Sequence, residues 1–177
     1  MILITPLSAV DQSIHRYRPS HIVTLLAPDH MIAPKLGFAP DRHLRLALED
    51  VSDSWLSNCP PCSSQVENLI EFGRGWKCEA PLLVHCWAGV SRSTAAAYIL
   101  LCDKVGPGRE LELARALRNR APHACPNRLM IQLADDAMGR NGRMVSAIEA
   151  IGRGTIVAEG CCVELPVSLE ALAISGD

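Results

Sequence analysis

The sequence predicts one α/β domain with a central, mostly parallel sheet flanked by helices. Three observations lead there. Apolar, β-branched runs alternate with helix-like segments through the first half of the chain. The run Leu82-Leu83-Val84 shows no polar alternation, as expected of a strand covered by helices on both faces. From residue 93 to about 153 the pattern is wholly helical, and strands alternating with helices before a helical block define this class.

Taken in order, Met1-Ile2-Leu3-Ile4 is a first strand by its β-branched, apolar content. Ser8 is placed to cap a short helix over residues 9–17, stopped by Pro19. His21-Ile22-Val23-Thr24-Leu25-Leu26 is the second strand. Pro34, Gly37 and Pro40 mark residues 30–41 as loop or broken turn. Residues 43–48 alternate with period two and form the third strand. Residues 49–64, rich in Asp, Ser, Pro and Cys, make a loop at the carboxyl end of that strand, where α/β folds place ligand-binding groups. Val66, Leu69, Ile70 and Phe72 give residues 65–77 the apolar side of a helix. Beyond the central strand, helices fit residues 93–104, 109–118, 126–138 and 143–152. We divide the chain into a main α/β domain, 1–153, and an unassigned extension, 154–177, read as an added edge strand or a mobile tail.

At 177 residues, with 49% apolar and 20% charged side chains, the chain is long enough for a substantial core. Its net charge of −2 and scarce aromatics (three Trp, two Tyr, two Phe) argue against a nucleic-acid surface. No apolar run has the length of a membrane span, so no membrane partner is expected. Residues 1–10 are apolar but too short, and lack the basic start, for a secretory signal. Eight scattered cysteines then suggest a cytoplasmic protein with reduced thiols. Oligomeric state is not legible.

The chemistry concentrates in residues 82–93, LLVHCWAGVSRS. An apolar strand ends at His85 and Cys86; Trp87, Ala88, Gly89, Val90 and Ser91 form a short loop; Arg92, Ser93 and Thr94 open a helix. Strand, tight loop and helix N-terminus in this order build an anion cradle, from inward backbone N–H groups and the helix dipole. A thiol becomes a strong nucleophile only as thiolate, a form favoured by a helix N-terminus and a nearby arginine. Arg92 offers a planar fork that grips two phosphate oxygens. Gly89 lets the loop bend, and Ser93 sets a hydroxyl beside the sulfur. The stretch reads as a nucleophile inside an oxyanion cage.

The pattern His85-Cys86-x5-Arg92-Ser93 resembles the signature of the cysteine-dependent protein tyrosine phosphatases. Its form HCxAGxSRS is most similar to the dual-specificity branch. The resemblance implies a phosphocysteine on Cys86, phosphate held by Trp87, Ala88, Gly89, Val90, Ser91 and Arg92, and a supporting role for His85. It also implies a general acid upstream of the cysteine, on the loop after a strand. Asp50 and Asp53 both qualify; aligned on the strand, Asp50 falls where dual-specificity enzymes carry theirs, with an insertion around residues 59–64. Pro126-Asn127 followed by Gln132-Leu133 resembles the segment these enzymes carry after their catalytic helices. Asn127 is then either a plain helix N-cap or a supporting residue near the site.

No cofactor and no metal are implied. Cys59-Pro60-Pro61-Cys62 has the spacing of a redox pair or half a zinc site, yet no second pair of ligands has matching spacing, and the prolines oppose a thioredoxin-type helix start. A small turn in the acid-bearing loop is the simpler reading. No Lys or Arg joins Arg92 in the cage, which favours a singly phosphorylated ester, such as a phosphoprotein, over a polyphosphorylated lipid headgroup. Two other classes remain open: sulfur or arsenate chemistry in a rhodanese-like loop, and a phosphate-binding module that recognises phosphoproteins without turnover.

Overall fold

The computed structural model describes residues 1–168. Five strands lie in one sheet: β1 (Ile2–Pro6), β2 (His21–Leu26), β3 (His43–Ala47), β4 (Leu82–Cys86) and β5 (Val163–Leu165), in the order β3-β2-β4-β1-β5. The first four are parallel, and β5 runs antiparallel on the outer edge of β1. Six helices accompany them: α1 (Val10–Tyr17), α2 (Ser63–Gly75), α3 (Arg92–Val105), α4 (Glu110–Arg120), α5 (Arg128–Ala137) and α6 (Arg143–Ile151).

Strand periodicity sorts the side chains onto two faces. Ile2, Ile4, Val23, Leu25, Leu82 and Val84 join the large core under α2 to α6. Leu3, Ile22 and Leu83 point the other way, into a smaller cluster closed by Val10, Ile14 and Tyr17 of α1. Both faces of β4 are therefore covered, which is why the run carries no polar residue until His85.

α3 is buried on every side from Arg92 to Cys102. Its triple alanine, Ala95-Ala96-Ala97, lets it lie close to its neighbours, and Leu100 fills the space beside Gly73 of α2, where a Cβ would stand 2.3 Å from Leu100 Cδ2. Tyr98 donates its hydroxyl to the Glu110 carbonyl at 2.8 Å. The Glu110 carboxylate, itself buried, accepts from Arg140 at 3.1 Å and Arg143 at 3.4 Å, which ties α4 to α6. An ion pair this enclosed is costly to break from one side, about 3–5 kcal/mol.

Element edges differ from the sequence expectation in informative ways. Ser8 does not cap α1: residues 7–9 form a 3₁₀ turn, Ala9 takes the N-cap, and the Ser8 hydroxyl bonds Glu159. Arg18, in the left-handed conformation with φ 48°, ends the helix one residue before Pro19. α2 begins two residues early, because the Gln65 side chain accepts from the Cys62 N–H at 3.2 Å. It stops at Gly75, where Trp76 turns into the core and donates to the Ala80 carbonyl. Residues 163–165 form an edge strand, held by Tyr17 on the Glu164 carboxylate and by Arg120 on the Glu164 carbonyl. Residues 169–177 of the predicted extension lie outside the described residues. No helix among the described residues is long and apolar enough to cross a membrane.

Candidate active site

The site is built where β4 ends. Pro6 of β1 pairs with Cys86, so the loop after β4 leaves the sheet between the carboxyl ends of its neighbours. Its carbonyls are fastened from outside. Leu7 N–H donates to Trp87 O at 3.0 Å, Gly160 N–H to Ala88 O at 2.8 Å, and Cys125 N–H to Val90 O at 2.9 Å. Ser91 O accepts from Ala95 and Asn127 at 2.9 and 3.3 Å, and the Thr94 hydroxyl adds a 2.6 Å bond to Val90 O. A trans peptide sets its N–H opposite its C=O. With the carbonyls held outward, the following amides turn toward the interior of the loop and form an anion-binding concavity.

Gly89 is required at its position. Its φ is +72°, and a Cβ there would stand 2.7 Å from the Pro6 nitrogen. The loop thus presses against the end of β1 at the one residue able to allow it.

Cys86 lies at the base of the loop, 2% exposed, with Sγ 3.2 Å from Ser93 Oγ. Arg92, 7% exposed, opens α3 and donates through Nη1 to the Leu48 carbonyl at 2.9 Å. Its Nε is buried and has no hydrogen-bond partner among the described residues; the nearest charge is Asp50 Oδ2 at 3.7 Å. A guanidinium anchored at one nitrogen, with another buried and unpaired beside the cradle, is poised for an oxyanion.

The two candidate aspartates separate clearly. Asp50 Oδ1 accepts from Ser91 Oγ at 2.6 Å and from Asn127 Nδ2 at 2.8 Å. Asp53 is exposed and bonds Ser52 beside it, at the start of a 3₁₀ turn over residues 54–56. Asn127 Oδ1 caps α5 through the Met130 N–H at 3.0 Å, while its Nδ2 donates to Asp50 and to the Val51 carbonyl. Gln132, by contrast, is exposed on α5.

His85 is fully buried behind the loop, and burial pushes its pKa down to about 4, against a smaller opposing effect from the Cys86 backbone. Trp87 stands at the rim, 55% exposed, its ring 4.9 Å from that of His30. Trp55 and Leu56 are exposed on the loop that carries Asp50.

Three contributors carried no sequence signal: the Leu48 carbonyl that anchors Arg92, and the backbone amides of Cys125 and Gly160 that fasten the loop. Backbone groups leave no residue-type signature. Cys59 and Cys62 belong to the acid-bearing loop. The Cys59 carbonyl accepts from the Glu49 N–H at 2.8 Å, which closes that loop upon itself, and Cys62 precedes α2. All eight cysteines are free thiols, and no cluster of three metal-binding side chains occurs among the described residues. A separate groove of about 1000 Å³ runs between α4 and α6, lined by residues such as Arg109, Arg115 and Ala147, and shares none with the Cys86 loop.

A parallel α/β sheet whose central strand delivers a thiol into a backbone cradle defines the class of this protein. No family model matches the sequence, and no curated protein matches it. Solved structures do. DUSP15 superposes with a TM-score of 0.59 at 16% identity, covering 85% of this chain and 89% of that one. PTPMT1 in complex with PI(5)P gives 0.57 at 14% identity, over 85% and 92%. The Yvh1 phosphatase domain from Chaetomium thermophilum gives 0.52 at 20% identity, over 78% and 91%. The chain has the fold of the cysteine-dependent tyrosine and dual-specificity phosphatases.

Proposed function

We propose that this protein is a cysteine-dependent phosphatase that hydrolyses phosphate monoesters in proteins, of phosphotyrosine or of phosphoserine/threonine. The observation that carries the reading is the grouping of Cys86 Sγ, the buried Arg92 guanidinium and the Asp50 carboxyl around one backbone cradle. The substrate phosphate occupies the cradle, its oxygens bound by loop amides and the Arg92 fork. The Cys86 thiolate attacks phosphorus; the S–P bond forms as the ester P–O bond breaks, and Asp50 gives its proton to the departing oxygen. Water then attacks the phosphocysteine, Asp50 takes its proton, and the S–P bond breaks to release inorganic phosphate. Ser93, within hydrogen-bonding reach of the sulfur, stabilises it as the leaving group in that second step.

Residues 87–91 contain no Lys or Arg, which supports a singly phosphorylated substrate. The exposed rim residue Trp87 offers apolar surface to the part of the substrate beyond the phosphate. Eight unpaired thiols support a reducing, cytoplasmic setting. The test is turnover of an aryl phosphate under reducing conditions, with trapping of the phosphoenzyme. Wild type should turn over and label on Cys86, and Cys86→Ser should do neither. Phosphate binding without turnover by wild type would replace this reading with that of a phosphoprotein-binding module.

A further inference from the structure

Behind the cage, one backbone amide and three side chains form a single hydrogen-bonded row. The Lys35 N–H donates to His43 Nδ1 at 3.1 Å. His43 Nε2 lies 2.9 Å from Thr24 Oγ1, and Thr24 Oγ1 lies 2.7 Å from His85 Nε2. Thr24 faces His85 across the β2–β4 pairing, and His43 opens β3 on the other side of β2. Thr24 and His85 are fully buried and His43 is 7% exposed.

The row has a direction. A backbone N–H only donates, so His43 Nδ1 carries no proton. Burial, with Arg45 and Lys35 acting in the same sense, pushes the His43 pKa down to about 4. The neutral ring therefore keeps its single proton on Nε2 and gives that hydrogen bond to Thr24. Among the described residues the Thr24 hydroxyl bonds these two imidazoles alone, so its own proton goes to His85 Nε2. His85 is neutral too: burial dominates, His43 and Lys35 lower its pKa further, and the Cys86 backbone and Asp11 oppose them. With Nε2 accepting, the His85 proton sits on Nδ1. That atom is buried with no hydrogen-bond partner among the described residues, and the backbone of Cys86, the next residue, acts on the ring in the sense that raises its pKa.

We propose that Thr24 and His43 are positioning residues that lock His85 in its Nδ1–H tautomer, so that a donor rather than a lone pair faces the Cys86 backbone. Neither touches the phosphate. The register of the row begins at a main-chain amide, which cannot reverse, and each link passes that polarity inward. The importance of this for catalysis rests on the reading of Cys86 as the nucleophile; the tautomer itself does not. A donor at the root of the cage favours negative charge on the adjacent cysteine, whereas a lone pair there would oppose it.

Imidazole ¹⁵N shifts of the wild-type protein at pH 7 test the tautomer directly. We expect His85 protonated on Nδ1 and His43 protonated on Nε2; a proton on His85 Nε2, or a charged ring at either position, overturns the proposal. The second arm follows the rate of Cys86 alkylation by iodoacetamide against pH, resolved by mass spectrometry, which needs no phosphatase turnover. Thr24→Val keeps the shape and cuts the row. It should raise the midpoint of the alkylation profile by about one pH unit, which slows alkylation by roughly tenfold on the acid side of both midpoints, while Thr24→Ser should restore the wild-type profile. An unshifted profile in folded Thr24→Val overturns the link to Cys86. Absence of phosphatase activity with the expected tautomer and profile would count against the functional reading alone.

Discussion

The Asn127 side-chain amide donates to Asp50 Oδ1 at 2.8 Å, joining the start of α5 to a loop 77 residues earlier in the chain. With Ser91 on the same oxygen and Arg92 Nε 3.7 Å from the other, the carboxyl is held over the mouth of the cage. In the proposed reaction this carboxyl acts on the leaving oxygen, and its loss matters most when that oxygen leaves badly. Asp50→Asn should lower kcat by about 10²-fold or more on an alkyl phosphate or an aryl phosphate of high leaving-group pKa. It should have far less effect on an activated aryl ester. Asn127→Ser keeps a capping oxygen for α5 and withdraws the amide, so it should show the same leaving-group dependence with smaller amplitude and little change in Tm. Equal losses on both ester types would remove Asp50 from the acid role. Asp53→Ala should leave the dependence as in wild type.

Gly89 offers a second check, independent of any ionisable group. A Cβ at this residue meets the Pro6 nitrogen at 2.7 Å and the Thr5 carbonyl carbon at 3.0 Å, and both are backbone atoms of a central strand that cannot move aside. Gly89→Ala also forces an L-residue to φ +72°. The loop, being the softer partner, should shift, with phosphate or vanadate binding weakened by at least about tenfold while the fold persists by circular dichroism. Wild-type affinity for vanadate in this variant would show that the cradle does not depend on close packing against β1.

How much of this arrangement the sequence discloses depends on the kind of signal each part leaves. β2 reads directly, since His21–Leu26 is a compact β-branched run with a proline soon after it. The cage reads because strand, loop and helix follow within a dozen residues and carry distinctive side chains. Asp50 and Asp53 both follow the same strand, and the groups that bond Asp50, Ser91 and Asn127, arrive from distant segments. Thr24, His43 and His85 fit no spacing rule either. They meet only because β2 lies between β3 and β4, a strand order that periodicity does not contain. Gly160 belongs to no motif in the stretch Ile156 to Val163, and its contact is made by its backbone.

That stretch yields the third prediction. Gly160 donates to the Ala88 carbonyl at 2.8 Å, and a Cβ on it would fall 2.5 Å from Nε2 of the buried His123 and 3.2 Å from the Gly89 carbonyl. Gly154 is equally enclosed, with a Cβ placed 2.6 Å from the Ala124 carbonyl. Gly160 is therefore packed onto the outside of the cage and Gly154 against the turn after α4, with exposed residues 155–159 between them, and the Ala88–Gly89 peptide owes its orientation partly to Gly160. Gly160→Ala should displace this segment and lower kcat/KM by roughly tenfold, the scale of losing one support of an oxyanion donor. Ile156→Ala, at an exposed position of the same segment, serves as the control. An unaffected kcat/KM in Gly160→Ala would mean that the segment covers the cage without shaping it.

The buried histidines govern the response to acid. His43 and His85 have pKa values pushed down to about 4 by burial, and those of His21 and His123 are lowered as well, again chiefly by burial. The folded values lie below the ordinary histidine value of 6.5, so between them the unfolded chain binds more protons than the folded one. Stability is therefore full above about pH 6.5, falls as pH drops through the window from 6.5 to 4, and levels for these groups below it. His43 and His85 each contribute on the order of 3 kcal/mol across that window, and they share the Thr24 hydroxyl, so their losses are not independent. Urea midpoints measured from pH 7.5 to 4 should fall steeply below 6.5. His43→Gln removes one titrating ring while keeping a donor toward Thr24; it should start less stable at pH 7 and then decline with a shallower slope. A midpoint that stays level between pH 6.5 and 5 would mean that neither ring is held neutral by its surroundings, and the row behind the cage would lose the condition on which its direction depends.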